Sequence, residues 1–215
     1  MSPLPIQLVD WGLLDYEESL ARQHKLVRAR QNDECADQLI TVEHPHVFTL
    51  GRRRSAKDNV LDAGNVPVVE VERGGDVTYH GPGQIVLYAI CKLQEGQRDL
   101  HRFLRNMEQG TIDTLQRYGL KAGREEGKTG VCIKGRKLAS MGIACREWVT
   151  FHGLALNVNT DLGYFTRINP CGFDASVMTS VQAELGGRAV PMQEMRKHLQ
   201  CNVAAGLNRF SETQK

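Results

Sequence analysis

The sequence contains no long hydrophobic run and no marked excess of charge of either sign. Its longest uninterrupted apolar stretch, Ile85–Cys91, is far shorter than the roughly 20 residues that a membrane-spanning helix needs. The 27 basic and 25 acidic side chains leave a formal net charge of +2, which argues against broad electrostatic binding of nucleic acid. We therefore expect neither a membrane span nor a nucleic-acid partner.

Signals for export and for disulfide bonding are also missing. Residues 1–6 lack the basic and apolar regions of a signal peptide, and the cysteines form no CxxC pair. In a chain without an export signal, such cysteines are expected to be reduced thiols, and we expect a cytoplasmic protein. The six cysteines stand at positions 35, 91, 132, 145, 171 and 201, and the apolar surroundings of Cys91, Cys132 and Cys145 predict that these three are buried.

Familiar cofactor and hydrolase motifs are absent, and two partial matches are weak. No GxGxxG, GxSxG or HExxH occurs. The segment 123–129 has too few residues between its glycines for a phosphate-binding loop, and its two glutamates would repel phosphate. His44 and His46 suggest no third metal ligand nearby, so we interpret them as ordinary histidines in a surface turn.

What is present fits one soluble α/β domain. The 215 residues, 41% hydrophobic and 24% charged, show no linker or repeat, so we expect a single domain over residues 1–215. Helical periodicity marks 15–32, with Asp15 as N-cap, 99–118, and a third helix from Pro191. We expect strands at 38–42, 66–71 and 84–93 and several strands between 130 and 159. Short turns between strands favour antiparallel pairing, hence a mixed sheet in an α/β or α+β sandwich.

The most unusual stretch is Arg73-Gly-Gly-Asp-Val-Thr-Tyr-His-Gly-Pro-Gly-Gln84. Four glycines and a proline in twelve residues indicate a backbone forced into close approach or positive φ. Such a segment is either a tight connection between two strands or a ligand site. The density of polar side chains in it favours the ligand site.

These residues resemble the signature of the octanoyl (lipoyl) transferases, the enzymes of lipoate biosynthesis related in fold to biotin and lipoate protein ligases. Three further blocks, 135–142, 151–157 and 168–172, resemble the other blocks of that family in its order, and Thr49-Leu-Gly-Arg52 resembles the strand end that precedes them. The resemblance runs from about Thr41 to Gly172. It implies an α/β (α+β) fold, a mixed β-sheet sandwich flanked by helices, similar to biotin/lipoate protein ligase catalytic domains.

The resemblance also implies a reaction and its residues. An octanoyl group would pass from acyl carrier protein to a lysine of a lipoyl domain, either of 2-oxo acid dehydrogenases or of the glycine cleavage H protein. Cys171 would carry the acyl group as a thioester and Lys137 would assist it, without any cofactor or metal. The substrate-binding residues would be Arg73, Gly74, Gly75, Asp76, Val77, Thr78, Tyr79, His80, Ser140, Met141, Gly142, Gly153, Leu154 and Ala155.

Elementary chemistry agrees with these assignments. A thiolate attacks a thioester readily, and free cysteine is only a few per cent ionised at neutral pH, so a nearby cation such as Lys137 is useful. Backbone N–H groups near Cys171 or at Gly74 and Gly75 are candidates for holding the oxyanion. The small residues of the blocks would leave an apolar slot for the acyl tail, so bulk at Gly142 or Ala155 is expected to shorten the preferred chain.

The residues by themselves leave three alternatives open. An ATP-dependent lipoate or biotin ligase would need a nucleotide site, a non-catalytic lipid-binding module would tolerate loss of Cys171, and a thioesterase would release free octanoate. The basic residues Arg52, Arg53 and Arg54 read by default as solvated surface, and are a candidate docking patch for the acidic carrier protein.

Overall fold

The computed structural model describes residues 6–169 and 177–212, with side chains to residue 208. The strands are β1 (Gln7–Leu13), β2 (Gln38–Glu43), β3 (Val47–Leu50), β4 (Val68–Glu70), β5 (Val77–His80), β6 (Gln84–Ile90), β7 (Val131–Ile133), β8 (Arg136–Arg146) and β9 (Val149–Asn157). The α-helices are α1 (Tyr16–Gln31), α2 (Leu100–Gln116), α3 (Val181–Glu184) and α4 (Met192–Glu212). Short 3₁₀ turns cover Glu95–Gln97 and Leu162–Arg167.

The strands form two mixed sheets. The large sheet has the order β1-β2-β6-β9-β8-β7, in which β1 and β2 are parallel and every other pair is antiparallel. The small sheet has the order β4-β3-β5, with β3 parallel to β4 and antiparallel to β5. The expected mixed, largely antiparallel pairing is confirmed.

Each face of the large sheet buries a different set of side chains. One face packs against α2 and α4, where Leu154, Leu156 and Val158 lie in the same cluster as Leu199 and Val203. The two helices approach closely, because a Cβ on Gly110 would lie 2.5 Å from the Val203 Cα. The other face holds a smaller cluster that includes residues of α1, β2, β6 and β9, and the cavity described below opens on it.

The structure confirms the three predicted helices and corrects several strands. The Asp15 side chain caps α1 by accepting from Glu17 N at 2.9 Å and Glu18 N at 3.2 Å, as expected. The sequence patterns missed β1, and β5 lies inside the glycine-rich segment, where glycines on both sides hide a short strand. The strand expected at 66–71 is shorter in the structure. Only the three residues of β4 pair with β3. None of the described helices combines the length and the apolar character that a membrane span requires.

Candidate active site

A cavity of about 510 Å³ brings the separate sequence blocks together. Side chains and backbone of β5, β6, β8 and β9 line it, with Tyr16 at the start of α1. Of the expected site residues that the structure describes, all but Tyr79 line this cavity: Arg73, Gly74, Gly75, Asp76, Val77, Thr78, His80, Lys137, Ser140, Met141, Gly142, Gly153, Leu154 and Ala155. Residues up to 82 positions apart thus meet at one surface.

Tyr79 faces away from the cavity because side chains alternate along β5. Its ring is fully buried and stacks on Tyr164 with a centroid separation of 4.8 Å, while its hydroxyl bonds His46 Nδ1 at 2.7 Å. Thr78 and His80, on either side of it, line the cavity. Tyr79 therefore packs on the face of the small sheet opposite the cavity.

The segment from Arg73 to Asp76 is held between two glycines. A Cβ on Gly51 would lie 2.5 Å from the Gly75 carbonyl oxygen, and a Cβ on Gly142 would lie 2.8 Å from that of Gly74. The Gly74 N–H donates to the Ile143 oxygen at 3.0 Å, and Gly75 has φ of +94°. The close approach and the positive φ that the glycine density predicted are both present, and the structure identifies β8 as the strand approached. Because the Gly74 N–H is already bonded, it does not suit the expected role of oxyanion donor.

Arg73 and Asp76 are buried and bonded. The Arg73 Nη2 donates to the Thr49 carbonyl at 2.8 Å and to its Oγ1 at 2.9 Å. The Asp76 carboxylate accepts from Asn59 Nδ2 at 2.9 Å and from the Val77 N–H at 2.8 Å. Arg73 therefore ties the glycine-rich segment to the end of β3, and Asp76 ties it to Asn59.

A buried hydrogen-bond chain connects His80 to the strand that carries Lys137. His80 Nδ1 bonds Gln84 Oε1 at 2.7 Å, and Gln84 Nε2 donates to Asn157 Oδ1 at 2.9 Å. Asn157 Nδ2 donates to the Thr179 oxygen at 3.1 Å, and the Thr179 N–H donates to the Lys137 oxygen at 3.0 Å. Since Gln84 Oε1 accepts, His80 carries its proton on Nδ1.

Three buried histidines near the cavity are neutral. Burial lowers the pKa of His44 to about 4, and burial with the nearby His44 lowers the pKa of His80 to about 3. Burial, with Arg73 next in effect, lowers the pKa of His152 to about 3. Each is less than a tenth exposed, so desolvation of the charged form dominates.

The interpretation of His44 and His46 as residues of a surface turn is wrong for His44, whereas His46 is half-buried beside the exposed Pro45. His44 is fully buried, and its ring nitrogens bond the Leu14 oxygen and the Tyr88 hydroxyl, each at 2.7 Å. His46 packs on Tyr164 with ring centroids 4.3 Å apart. Proline between two histidines indicates a turn. The burial of His44 depends on Tyr16 of α1 and Tyr88 of β6, which pack against its ring and cannot be identified from the local sequence. Within the described part of the chain, no group of three His, Cys, Asp or Glu side chains is placed to hold a metal.

Lys137 lies at the start of β8 and lines the cavity. A Cβ on Gly130 would lie 2.9 Å from Lys137 Cε, so the lysine stem crosses over that glycine. Cys171 lies outside the described residues. The chain before it is held by the Asn169 N–H, which donates to the Asn59 oxygen at 2.8 Å, and the chain after it returns to the cavity wall at Met178, which pairs with Lys137.

Sequence reasoning missed several cavity residues, among them the ring-bearing Tyr16, Tyr88 and His152. His152 falls inside a block that the family resemblance had singled out, but its φ of +58° takes it out of regular strand alternation. Tyr16 and Tyr88 carry no local signal, since a buried tyrosine in a helix or strand is ordinary core. Lys128 and Thr129, from the segment rejected as a phosphate loop, also line the cavity, and Lys128 bonds Glu125 at 2.7 Å.

The other cysteines differ in exposure. Cys91 and Cys132 are buried, as their apolar strand settings indicated, and burial raises the pKa of each thiol. Cys145, expected to be buried, is partly exposed because it lies near the end of β8. Cys35 is also partly exposed and Cys201 is exposed on α4. None of these five lines the cavity.

Replacing Ala155 with valine is expected to shorten the preferred acyl chain. Ala155 is buried in the cavity wall between Val86 and Ser140, so two added methyl groups would take space from the acyl tail that the family resemblance places here. We expect kcat/KM for octanoyl relative to hexanoyl thioester to fall about tenfold, the loss expected for excluding two methylenes. Ala144→Val, on β8 outside the cavity, is the matched control. An unchanged octanoyl preference would contradict the slot. Gly142 suits this test poorly, because a side chain there pushes on the Gly74 backbone.

Comparison with known proteins gives one consistent family. The lipoyl protein ligase A/B catalytic domain model matches residues 15–204. An octanoyltransferase of Geobacter metallireducens is 46% identical over 188 residues, covering 87% of each chain. An octanoyltransferase of Bacteroides thetaiotaomicron is 41% identical over 216 residues, covering 94% of this chain and 95% of the relative.

Solved structures confirm the expected fold. A lipoate-protein ligase A bound with ATP superposes with a TM-score of 0.81 at 17% identity, covering 95% of this chain and 86% of the other. A biotin protein ligase from Aquifex aeolicus gives a TM-score of 0.56 at 10% identity, covering 98% and 72%. The predicted likeness to biotin and lipoate ligase catalytic domains is confirmed, and identities this low establish the fold alone.

Proposed function

Because the chain belongs to the lipoyl protein ligase A/B catalytic domain family, and within it to the octanoyltransferases, we propose that it transfers an octanoyl group from acyl carrier protein to the lysine of a lipoyl domain. The observation that carries this proposal is one cavity lined by Lys137 and by three of the four family blocks. The fourth block, which contains Cys171, lies outside the described residues from position 170 onward, and the described chain resumes at Val177 and Met178, which line the cavity.

In the first step the Cys171 thiolate attacks the carbonyl carbon of the octanoyl thioester. A new S–C bond forms, the bond to the carrier's sulfur breaks, and the released thiolate takes the proton that the Cys171 thiol gave up. Neutral Lys137 accepts the proton of the Cys171 thiol, and the ammonium so formed stabilises the thiolate by its charge. The ammonium then donates this proton to the released carrier thiolate, which returns Lys137 to its neutral form. Lys137 is suited to this because it lies on a strand, held by the Thr179 N–H, rather than on a loop.

In the second step the amine of the acceptor lysine attacks the acyl-enzyme. This amine must first lose a proton, and the neutral form of Lys137 is the proposed acceptor of that proton. The amide C–N bond forms, the S–C bond breaks, and the Cys171 thiolate returns. Acceptors would be lipoyl domains of 2-oxo acid dehydrogenases and of the glycine cleavage H protein.

The carrier protein would dock beside the cavity mouth. Arg53 lines the cavity with its side chain 56% exposed, and Arg52 and Arg54 are exposed next to it. Acyl carrier proteins are acidic, so this patch supplies the complementary charge. We place the reaction in the cytoplasm, where such carriers and acceptors would meet the enzyme.

An acyl-enzyme detected by intact mass tests the proposal. Mixing the protein with octanoyl carrier protein, without ATP or magnesium, is expected to add about 126 Da, and hydroxylamine should remove the adduct. Cys171→Ala is expected to show no adduct, while Cys201→Ala, which changes an exposed cysteine on α4, should still form it. An absolute requirement for ATP would instead assign the chain to the ligases, and release of free octanoate without an acceptor would assign it to the thioesterases.

A further inference from the structure

The end of the cavity away from Lys137 is built from polar rings. Tyr16, Tyr88 and His152 line the cavity there and are each at most 3% exposed. The rings of Tyr88 and His152 have centroids 6.4 Å apart, and Tyr88 pairs across the strands with Gly153. We call these three residues the distal pocket.

His152 brings two unused hydrogen-bonding atoms to the distal pocket. Both ring nitrogens are buried and make no hydrogen bond to any residue that the structure describes. The nearest carboxylate oxygen, Glu72 Oε2, lies 3.9 Å from Nε2. The imidazole is neutral, so one nitrogen is a donor and the other an acceptor. Buried polar atoms in proteins are nearly always paired, so these atoms indicate a bound water or ligand group.

The fold holds the His152 ring in place. Its backbone has φ of +58°, a conformation that side chains other than glycine adopt at a cost, and its N–H donates to Gln23 Oε1 at 2.9 Å. The next residue must be glycine, because a Cβ on Gly153 would lie 2.0 Å from the Leu87 oxygen. Strain at a cavity wall that the surroundings enforce is characteristic of a functional position.

Distance along the sheet places the distal pocket at the far end of an acyl chain. Ile143 of β8 pairs with His152 of β9. Ile143 lies six residues after Lys137 on β8, which separates the Lys137 and Ile143 Cα atoms by about 20 Å. An extended octanoyl chain spans about 9 Å from carbonyl carbon to methyl, and the lysine and histidine side chains cover part of the remainder. A chain that reacts beside Lys137 and extends along the cavity toward the distal pocket therefore ends near His152. This step rests on the proposed function.

We propose that the distal pocket is a polar subsite that sets the acyl chain length and accepts a hydrogen-bonding terminus. An eight-carbon chain ends before the imidazole and leaves its nitrogens to water, whereas a longer alkyl chain displaces that water and leaves both nitrogens without partners. A terminal hydroxyl on an eight-carbon chain replaces the water and bonds the imidazole. Two features thus discriminate against longer alkyl tails: the limited volume of the slot and the polarity of the His152 ring.

Chain-length profiles of two variants at position 152 test this subsite. His152→Phe removes both nitrogens, and His152→Gln keeps a donor and an acceptor, while both substitutes carry a similar penalty in left-handed backbone. We expect His152→Phe to raise kcat/KM for decanoyl relative to octanoyl carrier protein about tenfold, as two further buried methylenes would. The same variant should lower kcat/KM for 8-hydroxyoctanoyl relative to octanoyl about tenfold. His152→Gln should keep both ratios within about threefold of wild type.

The outcomes separate this inference from the proposed function. A wild-type profile in folded His152→Phe overturns the subsite. If that variant does not fold, Tyr16→Phe removes one polar atom of the same pocket, and an unchanged profile there overturns the subsite equally. Calorimetry with free octanoate, decanoate and 8-hydroxyoctanoate measures the same preference without transfer. Wild-type protein that binds these acids with the expected order but transfers no octanoyl group would support the subsite and refute the proposed function.

Discussion

Replacing Lys137 with methionine is expected to lower kcat for octanoyl transfer by about a hundredfold to ten-thousandfold. Methionine keeps the unbranched stem that crosses Gly130 but removes the charge and the proton-accepting nitrogen. In the proposed mechanism the Cys171 thiolate then loses its stabilising cation, and the acceptor amine loses its base. Because Lys137 is paired through its backbone, the strand itself should survive the change. Single-turnover measurement of acyl-enzyme formation and of its decay to amide would show whether both steps slow.

Lys128→Met is the matched control for this prediction. Lys128 also lines the cavity, and its ammonium bonds Glu125 at 2.7 Å in the segment before β7. Lys128→Met removes one positive charge from the cavity, as Lys137→Met does, but leaves every group of the proposed proton transfer in place. We expect less than about a threefold change in kcat. Equal losses in the two lysine variants would show that net cavity charge, and not the position of Lys137, supports the reaction.

The free energy of unfolding is expected to fall by about 4 kcal/mol between pH 7.5 and pH 5.5. In the folded protein the pKa of His44 is about 4 and the pKa of His80 and His152 is about 3, whereas an unfolded histidine has a pKa near 6.5. Below pH 6.5 the unfolded state therefore binds protons that the folded state does not, and stability decreases as the pH falls. At pH 5.5, each of these histidines lowers the free energy of unfolding by a little over 1 kcal/mol. Urea unfolding at several pH values measures the slope.

His152→Gln identifies the source of this pH dependence. The variant leaves two of the three depressed histidines, so about two thirds of the pH-dependent loss should remain. The window above pH 5 avoids most carboxylate titration, since the pKa values of Asp and Glu lie near 4. Stability that stays constant from pH 7.5 to 5.5 would show that these histidines are solvated rather than buried.

Local patterns predicted the elements better than they predicted the cavity. The Asp15 cap and the apolar stripe of α4 identify helices because their signals repeat within a few residues. Strand β5 was hidden, since glycines and a proline surround its four residues. The family blocks named most of the cavity wall, yet Tyr79 turned out to support the small sheet from its other face.

The sequence by itself determined the three long helices, the mixed sheet, the close backbone approach or positive φ of the glycine-rich segment, and the membership of residues 41–172 in a recognisable set of blocks. These follow from periodicity, turn chemistry and residue identity, which act over short stretches of chain. Only the tertiary structure decided that Tyr16, Tyr88 and His152 share one cavity, that His44 is buried, and that the Gly74 N–H is already bonded. Strand order and register decide such facts, because they bring together residues more than a hundred positions apart that carry no local mark of their partners.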